Sequence, residues 1–330
     1  MNQLWSVYHN EIPPFLRAFA AAPPMARLRG VGMNCGCEYT HFPRFRDIGP
    51  YSRYDHSLGV ALIVWHFTGD KKQALAGLFH DITTPVFAHV VDFLDGDHLR
   101  QESTEAGTAD RIAASPELCG LLEEYGLTVE QVADYHRYPI ADNPAPALSA
   151  DRLEYTLGNA LNYGFADLGQ IRAFYGDLTV GEDEAGRPEL VFRTPETAAA
   201  FTRTALQNSH VYVADEDRFA MEALADLLRL ALDRGILTRE DLWTTEKPVI
   251  ERLEADPVCG PVWWKFHGYS RILRSTERPS DGTWVCVDAK KRWIDPMARG
   301  MGRVSQWDAE TREAIEQFRS LEFSSWLQGE

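Results

Sequence analysis

Apolar residues in this chain fall mostly at helical intervals. From Ser57 to Phe67, and again from Lys72 to Phe79, they recur three and four positions apart, which predicts two helices joined by a short polar turn. Upstream, Asn10 to Ala26 reads as one amphipathic helix, opened by Pro13-Pro14 and stopped by Pro23-Pro24. Proline fits the first turn of a helix and blocks its continuation elsewhere. Pro85 ends the second central helix, and Val86 to Leu94 begins another. Gly107 to Glu124 and Thr128 to Tyr135 follow as more polar helical stretches. Asn143-Pro144-Ala145-Pro146 is a turn-rich linker, after which Ser149 caps a helix that holds Asp151 in its first turn.

The texture changes after Asp177. Leu178 to Val180 and Leu190 to Phe192 flank the acidic, turn-rich run Gly181 to Pro188, a β-hairpin pattern. Thr194 to Leu206 and Arg218 to Leu232 are amphipathic helices, the second ended by Arg234-Gly235, and Leu237 to Leu242 opens one more with a threonine cap. Beyond Pro257, Trp263-Trp264-Lys265-Phe266 and Thr283 to Val287 read as strands of a mixed lobe, with a surface for stacking a base as the sharper alternative. The fold class is therefore mainly α. Its expected parts are an N-terminal helix with a glycine-rich lead-in (1–45), a helical core (46–175), a hairpin and helices packed on that core (176–255), and a small mixed α/β, aromatic-rich C-terminal lobe (256–330).

Chemistry enters at Leu78-Phe79-His80-Asp81-Ile82, where an imidazole and a carboxylate stand side by side in an apolar run. Burying both is costly unless a metal or a hydrogen-bond network satisfies them, and the pair suits Zn, Fe, Mn, Co or Mg-type ions. His56 starts the helix before, so it and the His80-Asp81 pair can meet across a helix–helix contact, as in a bundle core, and Asp151 falls in the first turn after the linker. His66, farther along the His56 helix, reads as a packing residue. Cys35-Gly36-Cys37 offers too few thiols for a structural zinc and reads as a turn with two small, half-buried thiols.

With their flanks, Arg53-Tyr54-Asp55-His56-Ser57-Leu58-Gly59-Val60, then Leu78 to Asp92, then Asp151-Arg152-Leu153-Glu154-Tyr155, these residues resemble the H…HD…D signature of the HD-domain metal-dependent phosphohydrolases. Within that superfamily they are most similar to the deoxynucleotide triphosphohydrolase-like branch. The resemblance covers Phe42 to Tyr155 and, more faintly, the chain to about Leu253. It implies an HD helical bundle with accessory helices closing its substrate side. His56, His80, Asp81 and Asp151 would hold a divalent metal (Mn, Fe, Co, Ni, Zn or Mg). Arg53, Arg152 and Tyr155 would bind phosphate, and Asp81, His89 and Asp92 would take the catalytic roles. For Arg152 the competing reading is a surface ion pair with Glu154 or Asp151. Two departures bear on the reaction. Thr84 stands where the branch has a histidine, and Gln101-Glu102-Ser103 replaces a His-Glu word, with His98 nearby. A hydroxyl cannot act as a general acid near neutral pH.

The implied function is hydrolysis of a nucleotide or similar small phosphate ester. Triphosphate hydrolysis is the first alternative. A di-iron oxygenase, which would need further ligands from His89, His98 or His136, and a catalytically reduced nucleotide-binding protein are the others. Composition narrows the partners. A net charge of −16 over 330 residues argues against a broad nucleic-acid surface but leaves room for a small phosphorylated substrate held by a metal and local arginines. Five scattered cysteines form no disulfide framework. No membrane span is expected, and Met1 to His9 carries no secretory pattern, so a cytoplasmic location and a possible homo-oligomer are the expectations.

Overall fold

In the computed structural model, which describes residues 2–96, 99 and 107–330, the chain is assembled around one buried helix. Helices α1 (Asn2–Tyr8) and α2 (Pro14–Ala21) lead to that helix, α3 (Arg53–Thr68). Ser52 starts α3 through a reciprocal cap. Its hydroxyl accepts from the Asp55 N–H, and the Asp55 carboxylate accepts from the Ser52 N–H. Gly69 ends the helix in the left-handed region at φ 61°. Every residue from His56 to Val64 is buried, so α3 has no solvent face over that span. Each fully buried Leu, Ile or Val there contributes about 1.5–3 kcal/mol, which places much of the bundle's stability on this helix.

Asp70 caps α4 (Lys71–Phe79) by accepting from the Lys72 N–H. Joined only through Gly69 and Asp70, α3 and α4 pack as a helical hairpin. Helices α5 (Val90–Asp95), α6 (Pro116–Glu124) and α7 (Ala150–Asn162) follow, and α7 also packs on α3. Strands β1 (Leu178–Glu182) and β2 (Pro188–Phe192) form the antiparallel hairpin, with Leu178 opposite Phe192. Then come α8 (Pro195–Val211), α9 (Asp215–Asp233), α10 (Glu246–Ala255) and α11 (Cys259–His267). The last part holds β3 (Ile272–Ser275), β4 (Met297–Ala298), β5 (Gly302–Arg303), α12 (Ala309–Arg319) and β6 (Trp326–Gly329). β4 pairs parallel with β2, giving one sheet of order β1-β2-β4-β5, and β3 pairs with β6. Among the described residues two large apolar cores result, with a smaller cluster around Leu206, Ile315 and Phe318. One gathers Leu62, Phe79, Leu153 and Phe201; the other gathers Phe93, Phe219, Leu228 and Phe266.

Most helical and hairpin expectations hold, with corrections. Gly107 to Glu124 is two helices, Thr108–Ala113 and Pro116–Glu124, since Pro116 opens the second behind a Ser115 cap, and Leu237 to Leu242 leads only into a 3-10 turn, Glu240–Trp243. Asn10 to Ala26 is not one helix, because Pro23 ends α2 at Ala21 and opens a separate turn, Pro23–Ala26. Val86 to Leu94 is helical only from Val90. Phe87 and Ala88 have φ of 57° and 47°, which no right-handed helix admits. Thr128 to Tyr135 gives a single turn, Val129–Val132. Trp263 to Phe266 is not a strand but part of α11. Trp263 and Phe266, three apart on a helix, both bury into the second core, while Trp264 is exposed. Thr283 to Val287 is not a strand either, and makes one isolated bridge, Val285 with Leu327. His98 and Gln101-Glu102-Ser103 lie outside the described residues. No helix among the described residues is long and apolar enough to cross a membrane.

Candidate metal centre

Four side chains from three helix ends meet beneath a cavity. His56 sits in the first turn of α3, His80 at the C-terminal cap of α4, Asp81 in the turn that follows, and Asp151 in the first turn of α7. His56 Nε2 lies 3.1 Å from His80 Nε2 and 3.1 Å from Asp151 Oδ1, and His80 Nε2 lies 3.7 Å from the same oxygen. Asp81 Oδ2 stands 3.9 Å from His56 Nε2 and 3.6 Å from His80 Nε2.

The hydrogen bonds of the outer nitrogens decide what these rings present. His80 Nδ1–H donates to the Gly77 carbonyl at 2.7 Å, and His56 Nδ1–H donates to Glu154 Oε2 at 2.6 Å. Both partners are acceptors, so each ring in its neutral form would turn an Nε2 lone pair toward the other. Two lone pairs and two carboxylates converging this closely repel one another unless a cation stands among them. Burial pushes the His56 ring down, but its hydrogen bonds to Asp151 and Glu154 outweigh burial and hold it up at about 10. Burial pushes Asp151 up, and the His56 hydrogen bond and the His80 charge reverse this and hold it at about 2. Asp81 is likewise lifted by burial but held far below the usual carboxylate range by Arg53, His80 and His56. The negative potential that keeps a proton on His56 would keep a metal ion in its place. Two imidazoles and two carboxylates fit a borderline or hard divalent ion. Among the described residues, His56, His80 and Asp151 form the one cluster of three or more such side chains close enough to hold a metal.

A second layer fixes the first. Glu154, one turn after Asp151, is 1% exposed, and besides His56 it accepts from Tyr51 Oη at 2.5 Å and Tyr8 Oη at 3.4 Å. Burial lifts its carboxyl, with His56 and Tyr51 opposing. Two glycines make this contact possible. A Cβ at Gly59 would lie 2.5 Å from Glu154 Oε1, and one at Gly158 would lie 2.5 Å from Tyr51 Oη. Asp81 is held the same way, its Oδ1 accepting from Thr84 Oγ1 at 2.8 Å and its Oδ2 from Arg53 Nη1 at 3.0 Å.

The cavity above has a volume of about 180 Å³ and runs along α7, where Asp151, Tyr155 and Asn159 line it at four-residue intervals. Eight residues of helix rise about 12 Å, so Asn159 stands about that far along the helix from Asp151. Arg53, Tyr155 and His89 line the cavity. His89 Nδ1 pairs with Asp92 Oδ2 at 2.9 Å, and Asp92 is fully buried behind it. Burial lowers the His89 pKa against that hydrogen bond, which favours a neutral ring at neutral pH.

Other expectations move. Arg152 does not face the cavity. Its guanidinium is folded under the 142–149 turn, donating to Asn143 and to the Ala147 carbonyl at 2.8 Å and pairing with Asp142 at 3.2 Å. Thr84 is fully buried and steadies Asp81 from below. His136 is largely exposed and bonds Asp142, and His66 packs against His9 and Tyr175. Sequence reasoning missed Glu154 as the partner of His56. It also missed Asn34, Asn159, Tyr163 and Tyr212 at the far wall, and Lys290 and Arg292 at the rim. The spacing of Asp151, Tyr155 and Asn159 was a signal for the far wall. Nothing local in the sequence pointed to the rim.

No family model matches the sequence. The chain is 26% identical over 249 residues to YdhJ, an uncharacterized protein of Bacillus subtilis, a match covering 74% of this chain and 73% of that protein. It is 26% identical over 164 residues to a Cordyceps militaris protein named metal-dependent phosphohydrolase cns2, which covers 48% of this chain and 44% of the fungal protein.

Proposed function

We propose that the protein is a metal-dependent phosphohydrolase of the HD type, acting on a nucleotide or similar small phosphate monoester. The observation that carries this reading is the convergence of two histidine Nε2 atoms and two carboxylates at one end of a cavity. The name of the fungal relative agrees with it.

His56, His80, Asp81 and Asp151 would hold a divalent cation, whose charge would acidify a water molecule and polarise a phosphoryl oxygen. The chain's own residues do the rest. Arg53 and Thr84 keep Asp81 ionised and fixed. Glu154 holds the His56 ring in the tautomer that leaves Nε2 bare. His89, oriented by Asp92, accepts or returns a proton on the substrate side. The amides of Asn34 and Asn159 and the phenols of Tyr163 and Tyr212 offer donors and acceptors to a polar ring farther along the cavity.

Thr84 separates the two phosphate chemistries. The triphosphohydrolase-like branch places a histidine at this position, whereas here Thr84 Oγ1 is committed to Asp81. Loss of a general acid commonly costs about 10²–10⁴ in rate. The cavity, at about 180 Å³, is also below the ~300–1,000 Å³ of most ligand pockets. Both favour a monoester. The test is elemental analysis of the purified chain, then phosphate release from nucleoside mono- and triphosphates. The expected result is bound divalent metal and orthophosphate released from the monophosphate. Release of tripolyphosphate at ordinary enzymatic rates would restore the triphosphohydrolase reading, and absence of metal would end both.

A further inference from the structure

The metal end is too balanced to attract a phosphate unaided. Asp81, Asp151 and Glu154 are offset there by Arg53 and a divalent ion, which leaves little net charge for a monoester carrying about −1.5 to −2 at neutral pH. Arg53 is already counted in that balance, Arg152 does not line the cavity, and the chain as a whole carries −16. Further cations must come from elsewhere in the cavity wall.

They stand on a segment far away in sequence. Residues 288–294 have no regular secondary structure and run between two anchors. At one end the buried Arg218 Nη1 donates to the Val287 carbonyl at 2.6 Å. At the other, Asp295 N–H donates to the Pro146 carbonyl at 2.9 Å, and Arg303 Nη1 donates to the Asp295 carbonyl at 3.0 Å. Between the anchors the side chains alternate as in any extended chain. Lys291 faces away, donating to the Arg319 carbonyl at 2.6 Å, and the Trp293 ring packs against Arg319. Lys290 and Arg292 line the cavity. The charge of Arg292 is felt by His89, Tyr155 and Tyr212, which line the same cavity.

We propose that Lys290 and Arg292 are the anion clamp of this site, a strap that grips the substrate's phosphate against the metal end. A guanidinium suits this role because its planar fork matches phosphate oxygens. The identity of the anion rests on the phosphohydrolase reading; the clamp itself rests on the strap's geometry.

The experiment uses the full chain loaded with Mn²⁺ and titrates inorganic phosphate calorimetrically, alongside steady-state hydrolysis of a nucleoside monophosphate. Arg292→Ala should weaken phosphate binding roughly 10- to 100-fold, as loss of a charge-assisted hydrogen bond does. KM should rise by a similar factor while metal content stays at the wild-type level. Arg292→Lys should recover part of the loss, and Lys290→Ala should show a smaller one. Should Arg292→Ala fail to fold, Arg292→Lys and Lys290→Ala decide the matter on the same titration. The clamp is overturned if the variants bind phosphate as tightly as wild type, if they lose metal in step with phosphate, or if wild type binds no phosphate. Wild-type protein that binds phosphate through Arg292 but hydrolyses no ester would sink the phosphohydrolase reading and leave the clamp standing. Normal hydrolysis with unchanged KM in the variants would do the reverse.

Discussion

Arg53→Met tests the electrostatics of the metal end most directly. The substitution keeps a long apolar stem and removes the guanidinium whose Nη1 lies 3.0 Å from Asp81 Oδ2, with each side chain 8% exposed. At an effective dielectric of about 20 the pair's gross attraction is roughly 5–6 kcal/mol. Breaking a buried pair from one side typically costs about 3–5 kcal/mol, because the remaining charge is left uncompensated. For a chain of this size each kcal/mol moves Tm by about 2 °C, so the drop in excess chelator should be roughly 6–10 °C. With divalent metal in excess, Asp81 faces a cation again, and the drop should shrink to half or less. Metal should therefore raise the variant's Tm more than the wild type's, and by linkage bind the variant more tightly. Differential scanning calorimetry with chelator and with Mn²⁺ measures both. A drop under about 2 °C in chelator, or equal drops in the two conditions, would refute the reasoning, since Asp81 would then depend on neither Arg53 nor a metal.

Two further outcomes are expected. Glu154→Ala should lower metal affinity about 10- to 100-fold in a chelator competition, because His56 loses the partner that fixes its tautomer; unchanged affinity would remove Glu154 from that role. Asp217 lines the far wall, and burial, opposed by Cys37 and Arg218, lifts its carboxyl to about 8. The folded chain thus keeps a proton that the unfolded chain releases above about 4, and stability is lost as pH rises between those values. Asp217→Asn should melt higher than wild type at pH 9, with the gap closing toward pH 4; a gap that does not change with pH would contradict it.

The convergence of His56, His80 and Asp151 was legible in the sequence because each combines a metal-binding side chain with a helix-end signal: the Ser52 cap before His56, the Pro85 stop after His80-Asp81, the Ser149 cap before Asp151. The rest was hidden for physical reasons. Glu154 looks like a surface carboxylate until Gly59 opens a pocket for it and Tyr8 and Tyr51 arrive from far upstream. The direction of Arg152 follows from how the Asn143 carbonyl folds beneath it, which no local propensity encodes. Trp263 to Phe266 has the aromatic content of a strand, but burial at helical spacing overrides it. Phe87 and Ala88 take left-handed backbone without being glycine, so the late start of α5 carries no sequence mark.

The strap also sets an order in time. At ~5–20 residues per second, a ribosome lays down the stretch between Glu154 and Arg292 in roughly 7–28 s. During that interval the helices bearing His56, His80, Asp81, Asp151 and Glu154 already exist, while the segment that roofs the cavity has not been made. The metal end is thus synthesised before the cations of its cavity wall, and Lys290 and Arg292 arrive only afterwards.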